Sequence, residues 1–118
     1  MYRMIVVVLS AVMMLVGCSY RHCEEAVLQA PYFMTQMTNE EVFDKCFVAY
    51  QLSSYRDKQD RKVCVRLDGK FVLDEIPHSV QVFYRFSDRE HFTITDFVID
   101  GQSEPEVIFL YYMTQLYE

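Results

Sequence analysis

The sequence predicts an α+β fold: a helix packed on a four-stranded antiparallel meander, closed by a C-terminal segment that is a helix or a strand. Three observations carry this. A capped, one-sided apolar run lies at 38–50. An Asp-Gly pair, Asp68-Gly69, sits between two runs of alternating apolar residues. A second pair of alternating runs follows at 79–86 and 91–100.

The helix is read from "TNEEVFDKCFVAYQLSSY". Thr38 is followed three residues later by Glu41, the spacing of a capping box. Val42, Phe43, Cys46, Phe47 and Tyr50 then recur on one helical face. Glu40, Glu41 and Asp44 stand near the N-terminus, where the helix dipole favours negative charge. The charged "RDKQDRK" after it ends the helix or forms a solvated loop.

The meander starts in "KVCVRLDGKFVLDEI". Asp-Gly between apolar runs is a strong hairpin signal, because a type I′ turn needs positive φ at both central residues. A turn at Asp68-Gly69 puts Val63, Val65, Leu67 and Val72 on one face. It puts Cys64, Arg66, Phe71 and Leu73 on the other, so both faces are expected to be partly covered. "SVQVFYRF" and "HFTITDFVID" form the second hairpin, turning around 87–90. Val80, Val82, Tyr84 and Phe86 alternate on one face. Phe92, Ile94 and Val98 do the same, interrupted by Asp96. The last segment, "SEPEVIFLYYMTQLYE", carries two signals. Ser103 and Glu106 have capping-box spacing with Pro105 in the first turn, which favours a helix. Its Val, Ile, Phe and Tyr-Tyr favour a strand.

The chain begins differently. "MIVVVLSAVMMLVGC" is an apolar run of about 14 residues after Arg3, shorter than the roughly 20 that a spanning helix needs. Charge before, small residues after and this length are the layout of a secretory leader. Its end, Leu15-Val16-Gly17-Cys18, resembles the lipobox of bacterial lipoproteins. The resemblance covers only these first residues. It implies a diacylglycerol on Cys18, cleavage between Gly17 and Cys18, and Cys18 as the mature N-terminus. One acyl chain holds a protein reversibly and two or more hold it stably, so the implied state is anchored, not spanning. Ser19, in place of an Asp, implies sorting to the outer membrane, facing the periplasm. The expected organisation is a leader over 1–17, a partly packed membrane-proximal linker over 18–37 with a short helix ended at Ala30-Pro31, and one small domain over 38–118.

Charge narrows the partners. The chain has 11 Lys+Arg against 17 Asp+Glu, a net charge of −6, and the leader removes only a positive residue, Arg3. Such a domain is not expected to bind nucleic acid or anionic lipid through its own surface. The charge is read first as keeping the domain soluble, and second as suiting a basic protein partner.

Catalytic and metal-binding patterns are thin. A lipidated Cys18 leaves Cys23, Cys46 and Cys64 in an oxidising compartment. An odd count allows one pair and one leftover, an intermolecular bridge, or three free thiols; the pair favoured is Cys46 with Cys64, both inside folded elements. No C-x-x-C or H-x₃₋₅-H spacing points to zinc, so no metal is expected. Three glycines leave no phosphate-cradling loop, and no cofactor is expected. His22, His78 and His91 fall at turns or strand ends, and Ser53, Ser54 and Ser79 lack a nucleophile-elbow context. Asp74 and Glu75 are the sequence neighbours of His78. A non-enzyme is expected. The C-terminal aromatics offer a partner surface at Tyr111, Tyr112 and Tyr117, with Phe109 nearby, because Tyr and Phe are enriched at interfaces. Two functions fit: an accessory or interaction subunit of an envelope assembly or secretion complex, or an inhibitor, immunity or exclusion lipoprotein acting on a basic target.

Overall fold

The computed structural model describes residues 21–118. The expected leader, with Gly17 and Cys18, lies outside them. The architecture is a five-stranded antiparallel sheet in sequence order, with a helical layer on one face. The elements are helix α1, described over 21–29, α2 (Asn39–Cys46), strands β1 (Ala49–Arg56), β2 (Val63–Leu73), β3 (Ile76–Phe86), β4 (Phe92–Ile99) and β5 (Gln102–Glu104), and helix α3 (Glu106–Tyr117). The α+β class and the meander match expectation, and of the two readings left open for the C-terminal segment the helix is the one formed. The sheet has five strands rather than four: β3 and β4 form the expected second hairpin around 87–90, while the first part of the meander is placed differently.

Helix α2 starts where the capping box predicts. The Glu41 N–H donates to Thr38 Oγ1 at 3.2 Å, and the Thr38 N–H donates to Glu41 Oε1 at 3.4 Å. The helix stops at Cys46, and Phe47 is already extended at φ −97 and ψ 138. The expected continuation to Tyr50 is therefore corrected: 49–56 is strand β1. The apolar spacing served both structures. Phe43 and Phe47 fit a helix, while Tyr50, Leu52 and Ser54 alternate toward the core as a strand. Tertiary pairing decides, through an eight-residue ladder from Ala49↔Lys70 to Arg56↔Val63.

The Asp68-Gly69 turn is also corrected. β2 runs straight through it for 11 residues. Asp68 points to the open sheet face, where it accepts from Arg66 Nε and from Gln81 Nε2, both at 2.8 Å. Gly69 is required on the other face. A Cβ there would stand 3.1 Å from two carbons of the Phe47 ring and 3.2 Å from Val80 Cγ1. A strand glycine of this kind marks a close approach, not a turn. With no turn, parity is kept along the strand. Phe71 joins Val65 and Leu67 in the core, and Val72 falls on the open face, 49 % exposed.

The true turns are elsewhere. Asp74 and Glu75 both have positive φ, 53° and 67°, and join Leu73 to Ile76 in a two-residue loop. Asp100 and Gly101, at 52° and 83°, join Ile99 to Gln102. In β4 the pairing shifts between Phe83↔Asp96 and Tyr84↔Ile94, which leaves Thr95 as a bulge. A bulge moves following side chains to the other face. Phe92 and Ile94 before it, and Phe97 and Ile99 after it, all join the core, whereas Asp96 lies on the open face. Ser103 does not cap α3. It sits in β5 and donates to Asp96, and Pro105 is the N-cap without a side-chain bond.

The core lies between the sheet and the helices. Val27, Phe43, Leu67, Phe71 and Met113 are among its fully buried side chains. Each such burial contributes about 1.5–3 kcal/mol. Val27 and Cys23 bring α1 into this core, so the expected boundary between linker and domain at 37/38 does not separate two units. Asn39 reinforces the junction: its buried Nδ2 donates at 2.7 Å to the Val27 carbonyl in the last turn of α1. That carbonyl has no partner inside the helix.

Candidate functional site

The expected disulfide is corrected. Cys23, Cys46 and Cys64 are free and buried. Cys46 faces α3, with its Sγ 3.8 Å from the Met113 carbonyl. Cys64 lies in β2 on the opposite sheet face, under Arg85. The sheet itself separates the two. Burial pushes all three thiols upward, so each is held in its unreactive protonated form. Arg85 is fastened over Cys64 by the β1–β2 loop, pairing with Asp57 at 3.1 Å and with Asp60. The Gln59 backbone N–H and then Arg85 hold the Asp57 carboxyl below its usual range.

The three tyrosines do not form one surface. Tyr111 is exposed and touches Tyr112 edge-on, with ring centroids 5.9 Å apart. Tyr112 packs on Phe71 and His78. Tyr117, at the far end of α3, carries Lys45 Nζ 3.8 Å over its ring and donates to Met37 Sδ at 2.9 Å. Of the three, Tyr111 is exposed, while Tyr112 and Tyr117 are half-buried.

His78 has a partner that sequence proximity did not show. Its Nδ1 lies 2.6 Å from Asp100 Oδ2, 22 residues away, rather than against Asp74 or Glu75. Its ring stacks on Phe71, centroids 5.0 Å apart and planes at 18°. Asp100 also accepts from the Ser79 N–H at 3.0 Å. The His78 hydrogen bond first, then the Ser79 N–H, hold the Asp100 carboxyl below its usual range. A histidine oriented by a carboxylate is one half of a nucleophile-activating arrangement. The adjacent serine does not join it: along β3, His78 shares the face of Phe71 while Ser79 points to the opposite face. Through these two bonds Asp100 ties the β4–β5 turn to β3. His91 binds Asp88 at 2.9 Å across an exposed turn. Ser54 donates to Glu24 and so links β1 to α1. No group of three or more His, Cys, Asp or Glu among the described residues is placed to hold a metal ion. No described helix is long and apolar enough to cross a membrane.

Two surface features remain. The first is the outer edge of β1. This strand ends the sheet, and among the described residues its backbone pairs only with β2. Edge strands are normally blunted by Pro, charge or a bulge. "AYQLSSYR" has no Pro, no bulge and no charge before Arg56. The second is a cavity of about 390 Å³ on the helical side, between the 31–38 loop, β4 and the start of α3. One wall is Tyr84 and Phe92, edge-on at 5.4 Å. The other is Phe33, Phe97 and Phe109, the last two stacked at 4.7 Å. Phe33 holds a positive φ of 53°, rare for a bulky residue, and Tyr32 packs edge-on against it at 4.8 Å. Sequence reading placed most of these aromatics in a core. It had no signal for a void among them, because the void depends on the 31–38 loop and the bulge at Thr95.

Against known proteins, no family model, no curated protein and no solved structure matches this chain.

Proposed function

We propose that this protein is a lipid-anchored interaction subunit of the bacterial envelope. Acyl chains on Cys18 hold it to the outer membrane on the periplasmic side, where it recruits or steadies a larger assembly or secretion complex. The anchor rests on Leu15-Val16-Gly17-Cys18. The observation that carries the interaction role is the edge of β1 along residues 49–55, which among the described residues pairs on one side only, with β2. An extended segment of a partner can add there as a sixth strand, gaining affinity from main-chain hydrogen bonds and specificity from alternate side chains. Leu52 is half-buried and Gln51 exposed along that edge, so the added strand would meet one apolar and one polar rim.

A photo-crosslinking amino acid at Gln51 tests this in intact cells. One dominant adduct is expected from Gln51, and none from the same probe at Lys58 in the neighbouring loop. Absence of an adduct above background at Gln51 sinks the interaction role at this edge. The net charge of −6 favours a second reading, an inhibitor, immunity or exclusion lipoprotein acting on a basic target. An adduct with a strongly basic effector or toxin, instead of an envelope component, selects it.

A further inference from the structure

We propose that the aromatic cavity between the 31–38 loop, β4 and α3 is a binding site for a small ligand: one ring-sized apolar group carrying a hydrogen-bond acceptor. The site is separate from the β1 edge and does not depend on the function proposed for it.

Three observations support this. The first is size. A cavity of about 150 Å³ holds benzene, and this one measures about 390 Å³. It therefore takes a ring and a substituent of several heavy atoms, within the usual range of small-molecule sites. The second is its walls. Phe92 on one side and Phe33, Phe97 and Phe109 on the other offer faces and edges to a ring, whose stacking contributes beyond area alone. The third sets the ligand's polarity. Tyr84 lines the cavity and is only 3 % exposed. Its hydroxyl makes no hydrogen bond with any described residue, and because no sealed-off side-chain polar atom among them lacks a partner, that hydroxyl is reached through the cavity opening. Burial pushes this phenol strongly upward, and it pushes neighbouring Tyr32 to about 12. Both stay protonated at any physiological pH, so each presents an O–H donor. The one amide on the lining, Asn39, already spends its Nδ2 on the Val27 carbonyl. Thr93 and Glu106 are the other polar residues of the lining, and among the aromatic walls the Tyr84 O–H is the donor left for a ligand. An acceptor such as a ketone or ester oxygen satisfies it.

The test uses the full chain as purified, with the tyrosine and phenylalanine rings isotope-labelled for NMR. The probes are acetophenone, a ring with an acceptor, and ethylbenzene, its near-isostere without one. Acetophenone is expected to shift the Tyr84 and Phe109 ring signals with about tenfold higher affinity, the worth of one buried neutral hydrogen bond. Tyr84→Phe removes only the hydroxyl and should fold as well as the parent; in it the two probes are expected to bind within about twofold of each other. Ile94→Phe, which fills the slot, should abolish both titrations while the rest of the spectrum is kept. The proposal is overturned if neither probe shifts these rings up to its solubility limit, which would mean that water alone occupies the slot. It is equally overturned if the preference for acetophenone survives Tyr84→Phe.

Discussion

Replacing Gly69 with Ala should destabilise the protein by about 1–2 kcal/mol. The new Cβ would stand 3.1 Å from Phe47 Cδ2 and Cε2 and 3.2 Å from Val80 Cγ1. Ordinary carbon contacts lie at about 3.5–4.0 Å, so one neighbour must yield by a few tenths of an ångström. Phe47 is boxed in. Its ring stacks on Phe43 at 5.5 Å and meets Tyr50 at 6.2 Å and Phe71 at 6.5 Å. Val80 is 1 % exposed, inside the core cluster. Overpacking of a full core costs about 1–3 kcal/mol. Against it, Gly→Ala returns about 0.4–1 kcal/mol by narrowing the unfolded ensemble. Urea unfolding followed by far-UV circular dichroism reads the difference, supported by tyrosine fluorescence, which is unobscured because the chain has no Trp. The melting temperature should fall by about 4–8 °C per kcal/mol for a domain of this size. The cause is isolated by repeating the change in a Phe47→Leu background, where the penalty should shrink by at least half. Unchanged or raised stability in Gly69→Ala, or an equal penalty in both backgrounds, would refute the seating of Phe47 on Gly69.

Three further outcomes follow from the same structure. Glu75→Gly should raise stability by about 0.5–1 kcal/mol, seen as a higher denaturant midpoint, because Glu75 bears the cost of φ 67° in the β2–β3 turn. Asp100 has a folded pKa below its unfolded value, so its stabilisation is complete above the unfolded value of about 3.9 and is lost as pH falls through the lower folded one. Urea midpoints measured from pH 6 down to pH 2 (about four units) should therefore fall less steeply at the acid end in Asp100→Asn than in the parent. Alkylation of the unfolded, unreduced chain should label Cys23, Cys46 and Cys64 together, by mass; a species two hydrogens lighter with two thiols blocked would restore a disulfide that the sheet geometry separates.

Much of the fold was legible where local and tertiary signals agree. Thr38 and Glu41 mark the start of α2 by a mutual hydrogen bond that needs nothing beyond four residues. The 79–86 strand and the turn after it are set by alternation alone. The reading failed where one residue pattern serves two structures. Phe43, Phe47 and Tyr50 keep helical spacing, yet the chain turns extended at Phe47 because β2 offers a ladder to 49–56. Asp68-Gly69 has turn chemistry, but its glycine answers to the Phe47 ring and its aspartate to Arg66 and Gln81. The same rule applied to Asp100-Gly101 would have found a real turn and, with it, β5. The pairs that define the candidate sites were out of reach for a simpler reason. His78 meets Asp100 across 22 residues, and the Tyr84 slot is closed by a loop about 50 residues earlier in the chain. Neither separation leaves a periodic trace.

The lipid anchor is the premise of the proposed function, and metabolic labelling with an alkyne fatty acid tests it most directly. Wild-type protein should incorporate the label and migrate as a processed form, while Cys18→Ala should lose the label and accumulate as a larger precursor. Label retained in Cys18→Ala, or wild type that is never labelled, would contradict an anchor at Cys18 and, with it, the placement of this protein at the membrane.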